Sequence, residues 1–146
     1  AQAAQQNPQK LANTAAQKLA RATAQKKLAD AALANVKNVI AMTKGVVHKA
    51  IIESGSLTAV EIADLCRISV RSGAEFVKTS TGFGPRGATV DDVRAIRAAV
   101  GSTCRVKASG GIGDLATLKA MVDAGAERIG TSAGPAIMEE FLKQAK

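Results

Sequence analysis

The sequence predicts an α/β protein of parallel strand–helix units: four strands, half the complement of a TIM barrel, preceded by an N-terminal helical segment. Three observations lead there. After Gly45, four short apolar runs alternate with four helix-type stretches, and strands joined by helical crossovers run parallel. An internal echo supports a barrel over an open sheet. Gly73-Ala74-Glu75 returns as Gly125-Ala126-Glu127, and Thr79-Ser80-Thr81-Gly82 returns as Thr131-Ser132-Ala133-Gly134, both displaced by the same 52 positions (73 to 125, 79 to 131). That offset spans two strand–helix units, and a barrel is built from such repeats. Finally, the texture breaks near residue 45, which divides the chain into a helical segment, 1–44, and a (βα)4 half barrel, 45–146.

The first segment is rich in Ala, Gln, Lys and Asn. Gln2 to Gln9 reads as a frayed tail, with Pro8 at a plausible helix start. From Leu11 to Met42, the residues Leu19, Leu28, Leu33, Val36 and Ile40 form a thin apolar stripe, enough for one or two helices. The segment is basic and acid-poor, like some targeting peptides, but it has a single arginine and no signal-type apolar core.

The second segment opens on the β-branched run Val46–Ile52, expected as a strand. Thr58 and Glu61 have capping-box spacing, the helix they open ends at Gly73, and Glu75–Ser80 is the second strand. Thr89 opens the next helix and Gly101 closes it before the strand Cys104–Ser109. Asp114 opens another, ended by Gly125, before the strand Glu127–Thr131 and a last helix, Pro135–Lys143.

Composition removes several function classes. A length of 146 residues suits one domain with a real core, and no apolar stretch approaches the ~20 residues of a membrane span. The chain has no Trp or Tyr and only three Phe, so single-strand nucleic-acid binding by base stacking is disfavoured. The net charge of +8 is uneven: residues 1–44 carry seven Lys/Arg against one Asp, and the remainder is nearly balanced. A solvated basic helix explains that, with nonspecific attraction to acidic surfaces as the sharper reading. Cys66 and Cys104 form no metal or redox motif and read as reduced thiols of a cytoplasmic protein. His48, the only histidine, reads as packed rather than catalytic, and no metal site is expected.

The chemistry lies in lysines. Lys49, Lys78 and Lys107 each fall within or near the end of an apolar strand. Burial strips water from an ammonium, and a neighbouring cation adds to that cost, so such an amine becomes neutral more readily. A neutral lysine forms a Schiff base with a carbonyl. Side chains alternate along a strand. Lys78 pointing into the barrel brings Phe76 and Ser80 with it and turns Val77 and Thr79 to the helices; Lys107 inward turns Val106 and Ala108 outward. One such lysine alone reads as a strand-end residue reaching water; three on three strands favour function. Gly110-Gly111 and Gly130-Thr131-Ser132 precede helices, where backbone N–H groups attract phosphate, although plain turns and caps explain them as well. Gly82–Gly87 reads as a flexible loop after Lys78, either closing over a ligand or simply connecting.

These runs resemble the deoxyribose-phosphate aldolase family of class I aldolases. Phe76-Val77-Lys78-Thr79-Ser80-Thr81-Gly82-Phe83-Gly84 is similar to its Schiff-base strand and loop, and Val106-Lys107-Ala108-Ser109-Gly110-Gly111-Ile112 to its second-lysine strand. Lys49-Ala50-Ile51-Ile52-Glu53 resembles the preceding strand, and Arg128-Ile129-Gly130-Thr131-Ser132 the last strand and phosphate turn. The resemblance runs from about Val46 to Ile137 and covers the last four strands of the family's barrel.

It implies cleavage of 2-deoxyribose 5-phosphate to glyceraldehyde 3-phosphate and acetaldehyde, without metal or organic cofactor. Lys78 would be the nucleophile, Lys107 would lower its pKa and relay protons, and Lys49 would line the pocket. Gly82, Gly110, Gly111, Gly130 and Ser132 would bind the substrate, chiefly its phosphate. The implied partners are a small phosphorylated sugar or aldehyde and further copies of the chain, since the open sheet edges of a half barrel invite pairing. The alternative reading is a catalytically impaired half barrel that binds phosphate esters or serves as a scaffold. Arg105 stands where the family often has glycine, Gly113 where an arginine is common, and Ala133 where a serine is usual.

Overall fold

A computed structural model describes residues 8–144. The expected tail, Gln2 to Gln9, lies outside these apart from its last two positions, which begin the first helix.

That helix, α1 (Pro8–Met42), is continuous over 35 residues rather than two helices. Its thin stripe has a simple consequence. Leu19 and Leu28 stay in water, while Ala29, Ala32, Leu33, Val36 and Ile40, a stripe on one side of the helix, turn inward. Those residues dock α1 on α2 (Ala59–Ser72). The helix therefore joins the outer helical layer instead of folding over the inner face of the sheet.

Four strands follow: β1 (Lys49–Ile51), β2 (Phe76–Lys78), β3 (Arg105–Ser109) and β4 (Arg128–Gly130). They form one parallel sheet in chain order, β1-β2-β3-β4. The intervening helices are α2, α3 (Val90–Val100) and α4 (Leu115–Asp123), with α5 (Gly134–Gln144) last. Local sequence sets their ends. Thr58 and Glu61 make the reciprocal capping box of α2, and Gly73 closes it in the left-handed region at φ 87°. Thr89 and Asp114 accept from the third residue of α3 and α4.

The strands are shorter than the apolar runs. Val46–Ile52 is strand-like in composition, but only Lys49–Ile51 pairs, and Val46 and Val47 are exposed. β1 has a neighbour on one side only. At its foot the Glu75 carboxylate accepts from the His48 amide at 2.7 Å, while the His48 carbonyl accepts from both Glu75 and Phe76. The His48–Phe76 bond opens the ladder, and the Glu75 carboxylate occupies the His48 amide, so pairing goes no further toward Val46.

One face of the sheet carries the core. Ile52, Val77, Val106 and Ala108 meet Ile62 and Cys66 of α2, Val93 and Ile96 of α3 and Met121 of α4. Thr79 is also buried on this face, bonded to the Ser109 backbone. The alternation read from the sequence therefore holds on both lysine strands. Cys66 and Cys104 are buried and unpaired, and burial pushes the Cys66 thiol up to about 11, so it is inert as a nucleophile near neutral pH. His48 is half-buried, with Nε2 2.6 Å from Thr43 Oγ1, and ties the end of α1 to the foot of β1. Among the described residues, no helix is long and apolar enough to cross a membrane and no cluster of metal-binding side chains occurs.

Candidate active site

The other face of the sheet is open and basic. Strand register places its side chains in two rows. Lys49, Phe76 and Arg105 align in the first; Ile51, Lys78, Lys107 and Arg128 align in the second. Lys78 and Lys107 are thus direct neighbours across one strand spacing of about 4.8 Å. Both are half-buried, since nothing among the described residues covers this face.

The two lysines differ in surroundings. Lys107 sits on an inner strand, and a side chain at Gly130 would lie 3.0 Å from its Cε and 3.4 Å from its Nζ. Gly130 is therefore the gap in β4 across which Lys107 lies. Burial first, then Lys78, Lys49 and Arg128, hold the Lys107 ammonium below the ordinary lysine range. Lys49 is exposed; its Nζ turns back to the Val47 carbonyl at 3.4 Å, toward the foot of the strand.

Phe76 is the one large apolar residue sealed on this face. The guanidinium carbons of Arg105 and Arg128 lie 4.2 and 4.6 Å from its ring centroid, and Lys49 Nζ lies at 6.0 Å. Cation–π attraction holds these like charges around one ring.

The loop after Lys78, expected to be flexible, is fastened at three points. Glu53 Oε2 accepts from the Thr81 amide at 3.0 Å and from Thr81 Oγ1 at 2.5 Å. Arg86 forms a two-pronged pair with Asp92, which also accepts from Ser54 Oγ at 3.0 Å. The Ala88 amide donates to the Gly110 carbonyl at 3.0 Å, and a Cβ at Gly87 would lie 2.3 Å from that oxygen, so only glycine allows this approach. Phe83 projects into solvent, 98% exposed.

Two functional candidates escaped the sequence reasoning. Glu53 is the only non-glycine residue with positive φ among the described residues (φ 52°, ψ 58°), a conformation kept only where the surroundings enforce it. Thr81, foremost, and then Lys78 hold its carboxyl below the usual range, and its Oε1 is buried against Gly84 with no hydrogen-bond partner. Ser80 is fully buried beside Lys78's strand end, its hydroxyl also without a partner. The signal for Glu53 was available: it is an acid at a strand end, opposite the lysine loop.

The glycine turns adjoin one another. Gly110 and Gly111 adopt φ 86° and 73°, and Gly82 φ 102°, all left-handed. Thr131 Oγ1 donates to the Ile112 carbonyl at 2.5 Å and accepts from the Ala133 amide at 2.9 Å, which ties the turn after β3 to the turn before α5. Ser132 is exposed beside them. Lys78, Lys107, Gly82, Gly110, Gly111, Gly130 and Ser132 thus gather at the C-terminal ends of the strands, and Lys49 lies one row toward the other end.

No protein-family model matches the chain. Individual proteins do. The deoxyribose-phosphate aldolase of Aquifex aeolicus is 47% identical over 115 residues, 79% of this chain and 52% of that protein. The one from Coprothermobacter proteolyticus is 55% identical over 107 residues, 73% of this chain and 49% of that protein. Among solved structures, an aldolase superposes with TM-score 0.78 at 44% identity, over 85% of this chain and 56% of its own. The tetrameric deoxyribose-phosphate aldolase of Aeropyrum pernix gives 0.72 at 32%, over 77% and 49%.

Fold and relatives together define half of a TIM barrel of the kind found in aldolases, with both sheet edges open among the described residues. More closely, the chain is a partial relative of the deoxyribose-phosphate aldolases and spans about half the length of those it matches.

Proposed function

We propose that this half barrel is the Schiff-base half of a deoxyribose-phosphate aldolase. Its substrate is 2-deoxyribose 5-phosphate in the open-chain aldehyde form. The observation that carries the proposal is the side-by-side placement of Lys78 and Lys107 on the open face, with Lys107 held below the ordinary lysine range.

The Lys78 amine adds to the aldehyde carbon, and loss of water leaves a protonated imine. A base then takes the proton of the C3 hydroxyl. The C2–C3 bond breaks, its electron pair passes into the imine as an enamine, and glyceraldehyde 3-phosphate leaves. Protonation of the enamine at C2 and addition of water release acetaldehyde and restore the amine. Lys107, its proton loosely held, is suited to exchange protons with this centre. The amides of Gly110 and Gly111 and the Ser132 hydroxyl are the donors for the phosphate. Glu53 positions the loop that follows the nucleophile, through Thr81. Like the Aeropyrum protein, the chain would work as an assembly of copies, and its chemistry belongs to a cytoplasmic sugar-phosphate enzyme.

The test is release of acetaldehyde from 2-deoxyribose 5-phosphate. Parent protein should release it and Lys78→Ala should not, while Ser132→Ala should raise KM more than it lowers kcat. Equal release by parent and Lys78→Ala removes the proposal.

A further inference from the structure

The first half of α1 stands clear of the sheet and its helices. Every residue from Ala16 to Leu28 is exposed, over about 20 Å of helix. Farther on, Ala29, Ala32, Val36 and Ile40 face α2. Traced back at the same spacings of three and four, that face carries Gln25, Arg21 and Lys18. It is apolar where it meets the domain and cationic where it leaves. Lys27 lies nine positions beyond Lys18 (18 to 27), on the opposite side of the helix. Of the cations in this stretch, only Lys26 has a counter-charge among the described residues, Asp30 at 2.8 Å, and Asp30 is the sole acid before Glu53.

A polar helix that stays in water is normally steadied by acids and bases three and four apart; here Lys18 and Arg21 are like charges at that spacing, and they repel. An anionic partner supplies what this half lacks. A bilayer or an apolar partner does not suit it, because the exposed Leu19 and Leu28 are nine positions apart (19 to 28), on opposite sides, and make no apolar stripe. A protein contact is centred on an apolar or aromatic anchor, and Lys18, Arg21 and Gln25 offer none. Phosphates require none: cations hold them by charge and amides such as that of Gln25 by hydrogen bonds. Cations on two opposite sides fit a groove with anionic walls rather than a flat surface. The major groove of B-DNA, about 12 Å wide, admits an α-helix, whereas that of A-form RNA is too narrow.

We infer that the first half of α1 docks on double-stranded DNA, with Lys18, Arg21 and Gln25 against the phosphates of one strand and Lys27 against those of the other. The helix lies along the major groove and holds the backbone, so the contact is indifferent to base sequence. None of these residues belongs to the lysine site on the sheet, and the inference is independent of the aldolase reading.

The test is fluorescence anisotropy of a labelled DNA duplex titrated with the whole protein at several salt concentrations. Parent should bind at about 50 mM salt, and the logarithm of its affinity should fall against that of salt with a slope of about −3, for three phosphate contacts. Lys18→Gln, Arg21→Gln and Lys27→Gln together should weaken binding about tenfold or more and reduce the slope by about 2–3. Helix content by circular dichroism and acetaldehyde release should match the parent. Duplex DNA should also slow amide hydrogen exchange in residues 16–28 of the parent more than in the strands. A parent that does not bind, undiminished binding by the triple variant, or unchanged exchange in residues 16–28 overturns the inference. Equal affinity for an RNA duplex or for phosphatidylserine vesicles overturns it as well.

Discussion

Lys107 gives the site a measurable electrostatic signature. Its folded pKa lies below the ordinary 10.5, so between those values the unfolded chain binds more protons and stability rises with pH. Below the folded value the full penalty of a half-buried ammonium remains. Replacing Lys107 with Met should raise stability at neutral pH and flatten the rise toward pH 10; urea midpoints measured from pH 7 to 10 check both. A parallel rise in parent and variant contradicts the assignment. Glu53 makes a second residue-scale prediction. Its carboxylate holds Thr81 from a left-handed backbone, so Glu53→Gln should speed proteolytic cleavage within residues 82–87 and slow acetaldehyde release while leaving the helix content unchanged. An unchanged cleavage rate would remove its positioning role.

At the scale of elements, the loop after β2 depends on α3. Asp92, in the first turn of that helix, is buried, accepts from Ser54 and pairs with Arg86. Burial alone works against its charge, but Arg86 and Ser54 outweigh that and hold the carboxyl below 3.8. The stability it contributes is therefore present above pH 3.8 and is lost as pH falls through the folded value. Asp92→Asn should cost about 2–3 kcal/mol at pH 7, because it leaves Arg86 without its charge partner. A denaturant titration that differs by less than about 0.5 kcal/mol would contradict the pair's role. The elements also show what the sequence made legible. Caps at Thr58, Thr89 and Asp114, the closing Gly73 and the outward turn of Val77 and Val106 are local or periodic signals, and they hold. The extent of β1 was not legible, because the Glu75 carboxylate that occupies the His48 amide is 27 positions away. The fastened loop was hidden for the same reason: Glu53, Asp92 and Gly110 meet it only once the sheet forms. Gly130, legible in the sequence only as part of a turn, is also the gap in β4 across which Lys107 lies.

At the scale of the molecule, an open barrel puts its chemistry at risk. At an effective dielectric near 20, two unit charges about 8 Å apart repel by about 2 kcal/mol, and the inner face holds five cations, with Glu53 at the strand end as an acid whose charge Lys78 favours. An unfilled face keeps them wet and keeps Lys78 and Lys107 half in water. The measurement that bears most directly on the whole account is reductive trapping. The protein is incubated with 2-deoxyribose 5-phosphate and borohydride, and the labelled peptide is identified by mass spectrometry. The account predicts one adduct, on Lys78, absent from Lys78→Ala. Label spread over the exposed lysines, or none at saturating aldehyde, would contradict it.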